Sequence, residues 1–378
     1  DEGDPFNEIL AKKTINNIKS LRFFKTVESN VEEGTEPNTR ILNISVEEKP
    51  TGEISAGAGF STNGASVMFG VRENNYLGKG IKVDTNLFVN EESIKGIFSI
   101  TNPNYNNSDK SVNLNIESSE TNRLTDFGYK TNKSGFTLGT YFEYLDDMYL
   151  GLSTSNYYEK IETDSTASVR QKSQEGNYWD SFINLNFDYD KRNQKFETSD
   201  GFRSRYLINL PIISETNSLT NTFNYQYYTE LYENNISNFS VFLQAVDSIT
   251  NDDVKLSERI FLPSNKLRGF ERGKVGPKDG NDFIGGNYAT AFNFSTSLPQ
   301  LLENSQNVDF IAFIDIANIW GVDYNSSLDI NDDIRSSVGL GIDWFSPIGP
   351  MNFTFAETIT KADTDITESF RFNLGTTF

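Results

Sequence analysis

The sequence predicts an all-β transmembrane barrel of about 16 antiparallel strands, preceded by a small, partial α+β domain. Three observations lead to this fold class. Period-2 alternation of apolar and polar residues recurs from residue 52 to the end of the 378-residue chain. Aromatic residues make up 13% of the chain although its mean hydropathy is only −0.50, as expected when apolar side chains occupy one face of many strands. The runs are roughly 9–13 residues long, the length that a tilted strand needs to cross a bilayer.

The last run shows the alternation most clearly. One face carries Phe370, Phe372, Leu374, Thr376 and Phe378, and polar or small residues occupy the other. A soluble propeller or sandwich would have shorter strands, around five or six residues, and a second apolar layer to cover such a face. Because nearly every run has a polar second face, closure into a barrel with the apolar face in lipid is favoured; it also leaves no open edge.

Residues 1–50 differ from the rest of the chain. Residues 7–21 have apolar positions at nearly helical spacing, and two strand-like runs follow at 23–31 and 40–47. The residues between these runs, 33–38, include Gly and Pro and predict a turn. A helix and a hairpin are too small to hold a large core alone, so this segment is predicted to be part of a domain. Residues 51–378 are predicted to form the barrel.

The composition excludes several functions. The chain contains no His and no Cys, which removes the usual nucleophile–base pairs and zinc sites. Its net charge of −20 argues against a nucleic-acid partner. Residues 329–333 begin like an acidic calcium loop but lack the required Gly and closing Glu. No two carboxylates stand out as a hydrolytic pair among the many that line a barrel lumen, so we expect no enzyme, no metal and no cofactor.

A long stretch at about 251–283 interrupts the strand pattern and contains Leu267, Arg268, Gly269 and Phe270. Loops of this length are usually functional or disordered. Arg268 is either a solvated loop residue or folds into the polar lumen toward a carboxylate. Alternation directs Phe313 and Asp315 of a later strand inward, so Asp315 is the candidate partner. A planar guanidinium meeting that carboxylate would pin the loop inside the barrel.

These residues resemble the BamA family of outer-membrane assembly factors, whose superfamily joins POTRA domains to a sixteen-stranded barrel. The resemblance rests on the Leu-Arg-Gly-Phe loop, the Phe-x-Asp strand and the stretch 344–350 with its terminal Phe378. It covers essentially the whole chain and identifies residues 1–50 as the C-terminal part of the last POTRA domain. It implies that Arg268 contacts Asp315. An acidic residue that the family often has on the preceding strand is matched by Ser295, which leaves a second carboxylate partner in doubt.

The resemblance also implies a function. Such a protein inserts and folds β-barrel proteins into the outer membrane of a Gram-negative bacterium, as the core subunit of an assembly complex. Its implied partners are outer-membrane lipids, nascent β-barrel clients and accessory lipoproteins bound through periplasmic POTRA domains. A polypeptide-secreting transporter of the same superfamily and a gated pore are the alternatives. A loop pinned in the lumen would plug a pore, which argues against the latter.

The sequence gives the implied function a physical rationale in a weak seam between the first and last strands. Residues 54–60 are rich in Ala and Gly, which offer few cross-strand contacts and weaken a strand. An opened seam would expose an edge that an incoming strand can extend. Tight packing against the inner loop is the other interpretation of these small residues. The candidate seam residues are Ile54, Ala56, Gly57, Ala58, Gly59, Phe60, Phe372, Leu374, Gly375 and Phe378.

Overall fold

In the computed structural model, sixteen strands close into one antiparallel barrel, which confirms the predicted fold class. The structure describes residues 5–195, 197–215, 217–232, 235–250, 252–298, 307–328, 333–346 and 349–375. None of the helices in this described part combines the length and hydropathy that a membrane-spanning helix requires. The first barrel strand follows the last in the ring, so one seam joins the two ends of the sheet.

The elements follow in chain order. Helix α1 (Glu8–Ser20) precedes the two-stranded sheet β1 (Phe24–Glu33) and β2 (Arg40–Glu48). The first eight barrel strands, with helices α2 and α3 between them, are β3 (Gly52–Ser61), β4 (Gly64–Tyr76), β5 (Ile81–Asn90), β6 (Ser93–Asn102), β7 (Ser111–Arg123), α2 (Leu124–Phe127), β8 (Tyr129–Leu145), β9 (Met148–Thr163), α3 (Val169–Ser173) and β10 (Gly176–Asp190). The remaining strands are β11 (Gly201–Pro211), β12 (Ser218–Tyr232), β13 (Asn235–Ser248), the small hairpin β14 (Lys278–Asp279) and β15 (Asp282–Phe283), β16 (Tyr288–Ser297), β17 (Val308–Trp320), β18 (Arg335–Ser346), β19 (Gly349–Thr360) and β20 (Phe370–Gly375).

The alternation of apolar and polar residues along the strands places one set of side chains on the outer surface of the barrel and the other set toward its lumen. Outward residues such as Phe69, Leu138 and Leu340 are exposed and form the face that lies against lipid. The core lies inside the barrel, where buried residues of the segment between β13 and β16 pack on the lumen side of the wall. The apolar interior is thus provided by a loop that fills the barrel rather than by a second layer of sheet.

The N-terminal segment has the predicted helix and hairpin. The Asn7 side chain caps α1 by accepting hydrogen bonds from the backbone N–H groups of Ile9 and Leu10. The hairpin strands run two residues and one residue further than the sequence pattern indicates, to Glu33 and Glu48. Assignment of residues 1–50 to a POTRA domain stays a prediction.

Strand lengths differ from the expected range. The barrel strands run from 6 residues in β20 to 17 in β8, because alternation alone does not mark where a strand leaves the membrane. The last strand, predicted to continue to Phe378, is described to Gly375, and residues 376–378 lie outside the described part. Residues 329–332 of the rejected calcium loop also lie outside it.

Candidate functional site

The segment between β13 and β16, described from residue 252 to 287 and called the inner loop below, lies within the barrel. Leu267 and Phe270 are buried in one cluster with residues of the loop and of the wall. On β16 the lumen-facing positions of this cluster are Ala289 and Ala291, whose small side chains leave room for the loop. The predicted location of the loop at about 251–283 therefore corresponds to a packed element of the structure.

Arg268 binds Asp315 of β17 through two parallel hydrogen bonds. The distances are 2.7 Å from Nε to Oδ2 and 2.7 Å from Nη2 to Oδ1, and the backbone N–H of Arg268 adds a third bond of 3.0 Å. The Asp315 side chain is fully buried, whereas that of Arg268 is 22% exposed. The guanidinium carbon lies 3.5 Å from the centroid of the Phe313 ring, within the range of a cation–π contact. The structure therefore brings together the loop and strand residues that the resemblance pairs.

The residue beside Asp315 on the preceding strand is Asn293, and not Ser295, the residue that the resemblance matches to the family's acidic position. Asn293 is paired with Asp315 across β16 and β17, whereas Ser295 is paired with Phe313. The Asn293 amide donates to Asp315 Oδ1 at 2.8 Å and to the Lys266 carbonyl at 2.8 Å. The Asn293 amide thus satisfies a further lone pair of Asp315.

Gly269 allows the loop to approach the wall. Its φ of +86° is a left-handed conformation, and a Cβ would lie 3.1 Å from Cβ of Ala356 and 3.2 Å from Cβ of Ser337. The Ser337 hydroxyl donates to the Arg268 carbonyl at 2.5 Å, and the Thr358 hydroxyl donates to the Gly269 carbonyl at 3.2 Å. The four-residue motif is therefore held by three neighbouring strands, β17, β18 and β19.

A second anchor, missed in the sequence analysis, holds the start of the inner loop. The buried ammonium of Lys255 lies 2.8 Å from Oε2 of Glu159 on β9, contacts Asp180 on β10, and lies 3.6 Å from Oε1 of Glu258. The Ser257 hydroxyl donates to Glu159 at 2.8 Å. Alternation places both wall carboxylates inside, but the sequence holds no signal that selects Lys255 as their partner.

The electrostatics of this anchor favour a charged lysine. Burial lowers the pKa of Lys255, but the charges of Glu258, Glu159 and Asp180 outweigh burial and raise its pKa above the ordinary value. Burial also raises the pKa of the Glu258 carboxyl, although Lys255 opposes the shift. One cation thus offsets the carboxylates of two wall strands, and Glu258 keeps its proton to a higher pH than an exposed glutamate would.

The seam between β20 and β3 is short in the described residues. It consists of three pairs, Asn373–Ser61, Leu374–Phe60 and Gly375–Gly59. The rings of Phe60 and Phe372 lie 5.9 Å apart across it. None of the described residues of β20 pairs with the remaining candidates on β3, which are Ile54, Ala56, Gly57 and Ala58. Phe378 lies outside the described residues.

Gly375 stands at the end of the described seam. Its φ is +73°, and a Cβ there would lie 2.5 Å from the Ala58 carbonyl oxygen. A side chain would therefore both strain the backbone and separate the two strands. The small residues of the seam allow its backbones to approach closely while leaving few side-chain contacts across it.

Comparisons with known proteins agree with this architecture. The model of the Omp85 superfamily domain matches residues 75–378. The outer membrane protein assembly factor BamA of Nitratidesulfovibrio vulgaris is 24% identical, over all of this chain and 48% of that protein. BamA of Neorickettsia risticii is 24% identical over 89% of this chain and 46% of that protein. The chain thus spans about half the length of the curated relatives it matches.

Solved structures share the fold. BamA from Haemophilus ducreyi lacking POTRA domains 1–3 superposes with a TM-score of 0.88 at 21% identity, covering 97% of this chain and 78% of that one. CdiB from Acinetobacter baumannii superposes with a TM-score of 0.60 at 11% identity, covering 97% and 68%. Since the family model matches most of the chain, the chain belongs to the Omp85 superfamily.

Proposed function

We propose that this chain is the barrel of an outer-membrane assembly factor, which inserts and folds client β-barrels through the seam between β3 and β20. The observation that carries the proposal is the three-pair seam. By comparison, β8 and β9 pair continuously from Tyr129–Thr163 to Glu143–Tyr149. Within the described residues, which end at Gly375 on β20, the seam is therefore the junction with the fewest paired residues.

Opening this seam would create the surface that a client needs. A freed β3 edge presents unpaired backbone N–H and C=O groups, and an incoming strand can satisfy them by β-augmentation. The client would then form its hydrogen bonds on a template instead of exposing them to lipid. The free energy for this work would come from folding of the client, and the apolar outward face of β3 would keep the nascent sheet at the bilayer.

The geometry supports an orientation in the outer membrane. The N-terminal segment joins the barrel at Gly52, at the end where residues 77–80 and 146–147 form short turns. The longer segment 164–175 and the points where β13 and β16 meet the inner loop lie at the other end. Outer-membrane barrels have short periplasmic turns and longer external loops. Residues 1–50, as part of a POTRA domain, would thus lie in the periplasm, where POTRA domains would recruit accessory lipoproteins.

A disulfide across the seam tests this function. The full-length protein with its accessory subunits would carry Ser61→Cys and Asn373→Cys, a lumen-facing pair in the described seam. The chain has no native Cys to interfere. We expect oxidation to stop the folding of a client barrel in reconstituted vesicles and reductant to restore it.

The matched control carries Thr137→Cys and Ser155→Cys, a lumen-facing pair whose hydroxyls lie 2.9 Å apart between β8 and β9. Oxidation of this pair should leave client folding unchanged. If the seam pair is fully cross-linked and clients still fold at the same rate, the seam mechanism is wrong. Passage of an unfolded client through the barrel would instead indicate a secretion transporter.

A further inference from the structure

Arg371, on the last strand, is buried although the strand beside it is weakly paired. Its residue is 8% exposed, and its guanidinium faces the inner loop. Nη2 donates to the Phe270 carbonyl at 2.7 Å, Nη1 donates to the Ser264 carbonyl at 3.3 Å, and Nε donates to Oε2 of Glu368 at 2.8 Å. All three guanidinium nitrogens therefore have acceptors, and two of these acceptors belong to the inner loop.

The two loop carbonyls come before and after Arg268 in the chain, at Ser264 and Phe270. One guanidinium therefore spans the turn that inserts Arg268 beside Asp315. The fixed planar fork of arginine can reach both carbonyls at once, which a flexible lysine cannot do. Glu368 offsets the buried charge.

The loop between β19 and β20, residues 361–369, strengthens the same connection. The Glu271 N–H donates to the Ile366 carbonyl at 2.9 Å, and the Ile366 N–H donates to the Lys274 carbonyl at 3.0 Å. The Glu368 N–H donates to the Gly269 carbonyl at 3.0 Å. The chain that leads into β20 is therefore paired with the inner loop before it reaches β3.

A buried ion pair fixes the beginning of this chain. The Arg335 guanidinium, on β18, donates to Asp365 through Nε at 2.8 Å and Nη2 at 3.3 Å, and both side chains are fully buried. Asp365 also accepts from the Gly276 N–H at 3.0 Å. Asp365 thus holds the inner loop and the barrel wall together, a few residues before β20 begins.

We propose that Arg371 is a positioning residue that couples docking of the inner loop to closure of the seam. When Arg268 and Asp315 hold the loop, the carbonyls of Ser264 and Phe270 hold Arg371, and Arg371 keeps β20 beside β3. Release of the loop removes these acceptors and frees β20. The role of this coupling in admitting clients rests on the proposed function. The coupling itself is a property of the barrel alone.

Seam closure can be measured without any client. In the barrel carrying Ser61→Cys and Asn373→Cys, the initial rate of disulfide formation reports how often β20 pairs with β3. Arg371→Ala should lower this rate by about tenfold, the effect expected for loss of a hydrogen bond to a charged group. Arg371→Lys should give an intermediate rate, because it keeps the charge near Glu368 but not the fork.

Two controls separate coupling from general damage. Arg203→Ala removes another wall arginine, on β11, that makes a bidentate pair with Asp188, and it should leave the seam rate unchanged. The Thr137→Cys and Ser155→Cys pair, introduced in place of the seam pair, should form its disulfide at the same rate in every variant. A variant that alters this second rate has a disturbed barrel. If Arg371→Ala does so, Arg371→Lys replaces it as the variant that tests the coupling.

The coupling itself requires a double-mutant cycle. Arg268→Ala alone should slow the seam disulfide, whereas in the Arg371→Ala background it should have no further effect, because the connection is already broken. An unchanged seam rate in Arg371→Ala, or additive effects of the two substitutions, would overturn the proposal. A different result is that the seam rate follows this cycle while protein whose seam is closed by the disulfide still folds clients. That result would disprove the proposed function but would leave the coupling intact.

Discussion

The strands β8, β9 and β10 and the seam lie in one closed sheet but differ in strand length and in residue composition. These three strands have 17, 16 and 15 residues, whereas the described part of β20 has 6. Across this long wall Tyr141 and Tyr149 stack with ring centroids 5.5 Å apart. The seam combines a short register with Ala and Gly positions on β3. Backbone pairing and cross-strand contacts are thus plentiful on one side and scarce on the other.

This difference supports the proposed place of opening. Proteins open locally where few contacts oppose the opening, so the proposed mechanism would separate the seam and leave the long wall closed. The inner loop connects these two regions. Lys255 holds its start to β9 and β10, and Arg268 and Arg371 hold its middle to the strands that lead to the seam. The loop is therefore positioned to resist seam opening from an anchor on the rigid side.

Removal of the wall anchor should have the largest effect. Lys255→Ala leaves Glu159 and Asp180 buried without their cation, and breaking a buried ion pair typically costs about 3–5 kcal/mol. We expect a loss within this range, because the carboxylates of Glu159 and Asp180 both stay buried. The free energy of unfolding in urea, measured in lipid vesicles, checks this. Lys361→Ala, an exposed lysine, is the control and should change stability little. Equal losses for both variants would mean that the anchor is unimportant.

The sequence could predict the barrel because its determinants are local. Alternation along each strand identifies the lipid face, and the same alternation directs Asp315 inward. The pairing of Asp315 with Arg268 follows from resemblance to a family, since alternation alone does not choose among the many inward carboxylates. Contacts that depend on register between distant segments were out of reach. Lys255 meets Glu159 and Asp180 only because the start of the inner loop leaves β13 and lies against β9 and β10.

The neighbour of Asp315 on β16 was also out of reach of the sequence. Ser295 and Asn293 lie on one face of β16, two positions apart, so their alternation is identical. Only the register of β16 against β17 places Asn293 beside Asp315. Arg371 shows a further limit of prediction from sequence. Alternation along the last strand places its side chain inward, but its acceptors on the inner loop are backbone carbonyls. Backbone groups are the same in every residue, so no sequence pattern identifies them.

An alanine at Gly269 should loosen the contact between residues 267–270 and the wall by an intermediate amount. The left-handed backbone costs a non-glycine residue roughly 1–2 kcal/mol, and the new Cβ would also press on Ala356 and Ser337. Gly280→Ala is the matched control, because Gly280 has a φ of +65° but no atom within 4 Å of its Cβ position. Both variants bear the backbone strain, so the difference in their unfolding free energies measures the packing against the wall. Equal values would show that Gly269 is required for its conformation alone.

The smallest expected effect comes from a substitution that strengthens β3. It tests directly whether the composition of β3 makes the seam weaker than the wall formed by β8, β9 and β10. Ala58 faces outward and is paired with Val67 of β4, so Ala58→Val adds a β-branched side chain beside an apolar neighbour. Such a change is worth about 0.5 kcal/mol, since β-propensities span about 1 kcal/mol. The disulfide between Ser61→Cys and Asn373→Cys should form about twofold faster, because RT ln 2 is roughly 0.4 kcal/mol. Ala312→Val, on β17 and paired there with both β16 and β18, should leave that rate unchanged. A barrel that closes no faster with Ala58→Val would show that the seam is set by the inner loop rather than by the composition of β3.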